Sequence, residues 1–294
     1  MENVIDIKIS DIDSFKDHPF KVDRDESLIQ LADSISDNGL LNPIIVRKKE
    51  NGRYELISGH RRKLAMEMLQ YITIKAIVKD LNDDEATIYM VDSNMYREKI
   101  LPSEKAFAYK MKLDAMKHQG KTCGTEYHKS RDKISKDSGE SARTVQNYIR
   151  LTNLIPELLE LVDNTVKYDR RTFLTMGIKP AVELSYLNKD EQNLIYASIE
   201  YEDMTPSHAQ AIKIRELSKK KLLNYDSLEE IMKQKKGNQN DRIAFNKKNI
   251  ESVLPNELLK RDKRYIERYI IDAIKYYKSQ KKDILEEFDL DLFN

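Results

Sequence analysis

The sequence contains no tryptophan, one cysteine, seven prolines and eight glycines in 294 residues. Each scarcity removes a class of structure. The single cysteine, Cys123, cannot close an internal disulfide, and a tetrahedral zinc site would have to draw mainly on five scattered histidines. So little glycine and proline excludes collagen-like and low-complexity chains. No run approaches the roughly 18 apolar residues that span a bilayer. The opening MENVIDIKIS has no basic segment followed by an apolar one, so a cytoplasmic protein without a membrane partner is expected. Charge, by contrast, is abundant. Charged residues make up 34% of the chain against 40% hydrophobic ones, the balance of a soluble, helix-rich protein. At roughly 100 to 200 residues per domain, the length predicts two or three domains.

The net charge of +1, from 51 basic and 50 acidic residues, argues at first sight against a polyanionic partner. The average conceals a division. Residues 1–104 hold 15 basic and 20 acidic residues, a net of −5, and residues 105–294 hold 36 and 30, a net of +6. A nucleic acid would therefore bind the second part.

The first part alternates short apolar runs with helical patterns, as an α/β unit does. Ile5, Ile7 and Ile9 alternate with polar residues as in a half-buried strand. Leu28, Leu31, Ala32 and Ile35 recur at helical spacing from Asp25 to the Asn38-Gly39 stop. Pro43 leads a strand through Arg47, and Asn51-Gly52 is a hairpin turn to Arg53–Ile57. Ser58-Gly59-His60 opens a helix, Ile72–Val78 is a strand, and Asp83-Asp84-Glu85 suits the positive end of another helix. The predicted order is β-α-β-β-α-β-α around a small mixed sheet. From Pro102 the pattern is wholly helical, with a polar loop at 119–130, helices near Pro156–Val162, Ala181–Leu187, Lys189–Glu202 and Ser207–Leu217, a linker at 234–241 and a last helix over about Leu258–Tyr277. The expected class is α+β, divided into residues 1–101, 102–233 and 234–294.

Three constellations carry chemistry. In Ser130–Leu154, a short helix bearing Ile134 and Ser135, a turn at Gly139 and a helix capped by Ser141 have the spacing of a helix-turn-helix. With Val145, Tyr148 and Ile149 facing inward, Arg143, Thr144, Gln146, Asn147 and Arg150 face outward, the residue types that read base edges and phosphates. Lys129, Arg131, Lys133 and Lys136 flank them and add sequence-independent attraction. The bland alternative is a pair of solvated helices. Second, Gly59, His60, Arg61 and Arg62 stand at a strand-to-helix junction, where free N–H groups and forked donors suit a phosphate. Equally, Gly59 could only turn the chain while the arginines pair with surface acids. Third, Asn94 and Arg97 lie three apart, on one face if the segment is helical, and could grip a second phosphate or a metal-bound water.

In order and spacing these segments resemble the ParB family of plasmid and chromosome partition proteins. The resemblance runs from about Ile5 to about Leu217. It is carried by DESLIQLADSISDNGLLNPIIVRK, ISGHRRKLAMEM, DSNMYREKILPSEKAFAYKMK, the helix-turn-helix and LTNLIPELLELVD. It implies a ParB/sulfiredoxin-like N-terminal domain, a helical domain that binds a centromere-like site on double-stranded DNA, a C-terminal dimerisation element and a ParA-type partner ATPase. It also implies CTP and Mg²⁺ in the N-terminal domain, as a slow switch. Gly59, Arg61 and Arg62 match the family's Gly-Glu-Arg-Arg motif, and Asn94 and Arg97 its Glu-Asn-x-x-Arg motif. His60 replaces the first motif's glutamate, Ser93 replaces an acidic residue of the second, and the segment Asp17–Lys21 departs from the arginine-bearing pattern. The chain thus looks nearer to ParB-like proteins of mobile elements.

Two enzymatic readings compete. Sulfiredoxin chemistry needs a nucleophilic cysteine beside the motif, where this chain has Ser58 and Gly59. A metal-dependent nuclease needs clustered carboxylates, for which Asp83, Asp84, Glu85 and Asp92 are candidates. An acidic helix start explains the first three more simply, so the expectation leans away from an enzyme, with slow CTP hydrolysis as its limit. The basic tail through Lys282 carries an isoleucine stripe, expected to form a homodimer seam.

Overall fold

The computed structural model describes residues 4–22, 24–95, 97, 100–119, 132–168, 173–234, 254–255, 258 and 263–280. Alternation in the opening stretch yields an edge strand, β1 (Val4–Lys8), with Ile7 buried and Ile5 exposed. Ile9 does not continue it. That residue opens a 3-10 turn, and a two-residue strand that the sequence pattern does not signal, β2 (Ile12–Asp13), follows. Helix α1 (Glu26–Asn38) starts where the Asp25 carboxylate accepts the Leu28 N–H and stops at Gly39, φ 71°.

Strands β3 (Ile44–Lys48) and β4 (Tyr54–Ser58) form the expected hairpin around Gly52, φ 82°. Helix α2 (His60–Met68), β5 (Thr73–Lys79) and α3 (Asp83–Asn94) complete the unit. The sheet order is β1-β5-β3-β4-β2, with β5 parallel to β3 and antiparallel to β1. Apart from β2, this is the predicted order around a mixed sheet.

Successive residues of a strand point to opposite faces, and both faces here are covered. Leu56 packs with Leu28, Ala32 and Ile35 of α1 and Ala65 of α2, while the adjacent Ile57 packs with Phe20 and with Ala86, Met90 and Val91 of α3.

Everything after α3 is helical among the described residues. Helix α4 (Pro102–Gln119) begins at the expected 101/102 boundary and belongs to both sides of it. Its Ala108 completes the cluster around Ile57, and its Tyr109 and Leu113 pack on Ile134 and Val145. There follow α5 (132–138), α6 (Ala142–Leu151), α7 (Pro156–Lys167), α8 (Ile178–Leu184), α9 (Lys189–Glu202), α10 (His208–Lys219) and α11 (Tyr225–Lys233). Helix α11 is absent from the sequence expectation. Asn224 and Ser227 cap it reciprocally, and it buries Leu228, Ile231 and Met232. The last helix, α12 (Lys263–Gln280), starts later than the expected Leu258. Of the predicted loop and linker, only Gln119 and Gln234 fall within the described residues.

Candidate functional site

Gly59 sits at the N-cap of α2 with φ 106°, and a Cβ there would lie 2.7 Å from Ile44 Cγ2, so both conformation and space demand glycine. No side chain caps this helix. The Lys63 N–H takes the Gly59 carbonyl at 2.9 Å, whereas the N–H groups of the first helical residues have no acceptor within the helix. The arginines bracket the turn. Arg61 Nη2 lies 3.1 Å from Asp25 Oδ1 and also donates to Ser27 Oγ, and the Arg61 contact holds the Asp25 carboxyl below its usual range. Arg62 Nη1 donates to the carbonyls of Asn42 and Pro43 at 2.8 and 2.6 Å. Arg61 therefore has the acidic partner that the bland reading anticipates, and Arg62 binds backbone instead.

Two further segments converge on this turn. The His60 ring stacks on His18, centroids 3.8 Å apart and planes at 37°. His18 Nδ1 lies 2.7 Å from the Phe20 carbonyl, and the Arg97 guanidinium stands 5.5 Å from the Phe20 ring centroid. Glu104 of α4 accepts the backbone N–H of Lys21 at 2.7 Å and of Leu101 at 2.9 Å, tying this loop to the helical part. Burial, first among the causes, lowers His18 to about 4 and His60 to about 3, with Arg97 acting on both rings and Lys63 on His60. Both imidazoles are neutral at pH 7.

Asn94 and Arg97 do not share a helical face, because α3 ends at Asn94. The Asn94 side-chain amide is buried and donates to its own helix at Met90 O (2.8 Å), while the Asn94 main-chain carbonyl accepts the Arg97 N–H at 3.2 Å, a turn that carries Arg97 off the end of α3. Ser93 Oγ also donates to Met90 O, at 3.0 Å. His18 was not legible as a site residue, since the segment Asp17–Lys21 has no periodicity and registers only as a departure from the family pattern.

A phosphate group fits what is present: a glycine without room for a Cβ, free helix N–H groups, and buried nitrogens of His18 and His60 that have no partner. The described residues contain no group of three or more His, Cys, Asp or Glu side chains that would hold a magnesium ion on their own, and Ser93 Oγ and Asn94 Nδ2 both donate to Met90 O. The nuclease carboxylates diverge. Asp83 pairs with Arg47, Asp84 with His118, Glu85 with the Asn82 N–H and Asp92 with Lys112.

The second candidate surface lies on α5 and α6. Gly139, φ 70°, turns the chain between them, and the Ser141 hydroxyl accepts the Thr144 N–H at 3.1 Å. Ile134 and Val145 are buried against Tyr109 and Leu113 of α4, with Tyr148 and Ile149 packed at the edge. Tyr109 also donates to Glu140 Oε2 at 3.0 Å. This leaves Lys133, Lys136 and Arg143 exposed and Thr144, Gln146 and Asn147 half-buried. Arg150 takes a different place from the expected outward one. Its Nη2 donates to Ser185 O at 2.8 Å and its guanidinium lies 3.8 Å from the Tyr186 ring, because α8 ends against this turn of α6. Lys129, Arg131 and Cys123 lie outside the described residues.

The model of the ParB N-terminal domain matches residues 1–95. A chromosome-partitioning protein Spo0J of Thermus thermophilus is 37% identical over 145 residues, covering 49% of this chain and 49% of that protein. The Helicobacter pylori protein named a probable chromosome-partitioning protein ParB is 34% identical over 196 residues, covering 67% and 60%. Residues 1–95 are thus a ParB N-terminal domain. It spans about half to three-fifths of the length of these relatives. Among solved structures, the C-terminally truncated ParB of Caulobacter crescentus complexed to the centromeric parS site aligns with TM-score 0.42 and 20% identity, over 74% of this chain and 99% of that one. The Gly59 turn, the histidine pair and α3 all lie within the ParB N-terminal domain, and Arg97 stands two residues beyond it.

Proposed function

We propose that this chain, with its ParB N-terminal domain, is a sequence-specific DNA-binding protein acting in partition, or in local regulation, of a chromosome, plasmid or mobile element. The α5–α6 pair is read as its helix-turn-helix, with Arg143, Thr144, Gln146 and Asn147 reading bases and Lys133, with Lys129 and Arg131, adding phosphate attraction. The observation that carries this is the burial of Ile134 and Val145 against α4, which leaves Arg143 exposed at the start of α6. Two relatives named for chromosome partitioning support it.

The N-terminal domain is read as a CTP-responsive switch. Gly59, His60, Arg61 and Arg62 would receive the phosphates and Arg97, just past the end of α3, would close the site. Magnesium would come with the nucleotide's own phosphates. Residues 234–294 are read as a dimerisation element: α12 exposes Ile271 and Ile274, three residues apart on one face and suited to a second copy, and two-fold symmetry suits paired half-sites. A ParA-type ATPase is the expected protein partner, and the cytoplasm the expected location. No described helix is long and apolar enough to cross a membrane.

Genome-wide DNA pull-down with and without CTP tests the reading. A sharp peak that spreads with CTP supports partition, a sharp peak without spreading supports local regulation, and the absence of any peak overturns sequence-specific binding.

A further inference from the structure

We infer that His18 and His60 are ligand-contacting residues of the α2 site, and that the pair takes up one proton from solvent when a phosphate-bearing ligand binds. This rests on the reading of that turn as a phosphate site and adds to it one residue, His18, and a coupled proton.

Three ring nitrogens, His18 Nε2 and both of His60, are buried without a hydrogen-bond partner. Buried polar atoms in folded proteins are nearly always satisfied, and a cluster of unsatisfied ones beside a helix N-terminus marks a place where something polar binds. The charged groups acting on the pair are cations: Arg97 after α3 acts on both rings, and Lys63 of α2 acts on His60. Glu104 of α4 and Arg61 act in turn on Arg97. The guest that suits such surroundings is an anion.

The tautomer then decides the proton. The Phe20 carbonyl can only accept, so the His18 nitrogen 2.7 Å from it, Nδ1, carries the hydrogen. Nε2 of neutral His18 is therefore a bare lone pair. Against a phosphate oxygen it would repel, and once protonated it would donate a charge-assisted hydrogen bond. Without an anion, burial and the neighbouring cations keep both rings neutral. An arriving polyanion reverses that balance, since an opposite charge within a few ångströms favours the charged form. With centroids 3.8 Å apart, two imidazolium rings would repel, so the pair takes one proton and not two.

The test uses the full chain with inorganic tripolyphosphate, and CTP in parallel. Calorimetry at pH 6.5 in three buffers of different ionisation heat gives the protons taken up per ligand bound. The same titration on H18N/H60N subtracts whatever the ligand itself contributes. The expected result is about one proton more for the wild type, with its affinity weakening up to about tenfold more per pH unit above pH 6.5 than the variant's. Histidine ring NMR on the wild type keeps the idea testable if the variant does not fold: at pH 6.5 ligand should move one ring from neutral to protonated shifts. Tight binding with both rings neutral, or with equal uptake by wild type and variant, overturns the inference and leaves the phosphate site standing. Failure of wild type to bind either probe removes the site itself, and the inference with it.

Discussion

Lys112 Nζ lies 2.6 Å from Asp92 Oδ1, joining α4 to α3, and its other carboxylate contact, 2.8 Å to Asp137 Oδ2, joins α4 to α5. The ammonium is 3% exposed while the two carboxylates are nearly half exposed. One buried cation thus ties the helix that ends at Asn94 to the helix that opens the candidate DNA-reading pair.

The asymmetry of burial predicts an asymmetry of mutants. D92N/D137N strands a buried ammonium and is expected to cost about 3–5 kcal/mol. K112M leaves two solvated carboxylates and is expected to cost only about 1–2 kcal/mol. Urea denaturation of both variants checks the ranking, and equal losses would show that the lysine reaches water.

Gly59 and Gly52 both have positive φ, yet only at Gly59 would a Cβ meet a neighbour, Ile44 Cγ2 at 2.7 Å. G52A is expected to cost about 1 kcal/mol of backbone strain. G59A should cost at least about 2 kcal/mol, strain and overpacking together. Thermal unfolding of the pair measures the difference.

Arg143 and Arg150 should separate in their effects. R143A should relax DNA specificity by about 1–3 kcal/mol per lost base contact with little change in stability. Removal of the Arg150 side chain breaks its bond to Ser185 O and its contact with Tyr186, so R150A should lower the melting temperature. Competition binding on specific and random DNA decides the first point, and equal losses on both would confine Arg143 to phosphate contact.

The depressed histidines predict an acid-side loss of stability. In the folded chain His18 and His60 titrate near 4 and 3 against an ordinary 6.5, chiefly through burial. Between pH 6.5 and those values the unfolded chain binds more protons than the folded one, so stability is fully present above pH 6.5 and falls as pH drops, by up to about 1.4 kcal/mol per pH unit for each ring. Melting temperature from pH 7.5 to 5 should fall for the wild type and flatten for H18N/H60N.

Much of the N-terminal domain was legible because its signals are local. Asp25, Gly39, Gly52 and Gly59 start, stop or turn elements through their own backbone and nearest neighbours, and Ser141 caps α6 in the same way. Helix α11 was not legible because no Gly or Pro among residues 220–223 separates its capping residue, Asn224, from α10. The candidate site was half legible: Gly59, Arg61 and Arg62 could be named, His18 could not.

The sequence by itself determined the α+β class, the order of the elements other than β2 and α11, and the position of the Gly59 turn, since these follow from periodicity and from backbone conformations that few residues adopt. Only the tertiary structure decided which side chains meet. It stacked His18 on His60, turned Asn94 back onto its own helix, engaged Arg150 with Ser185 and Tyr186, and made Lys112 the link between α3 and α5. Such pairings join residues far apart in the chain, and their energies depend on burial and distance, which no local pattern encodes.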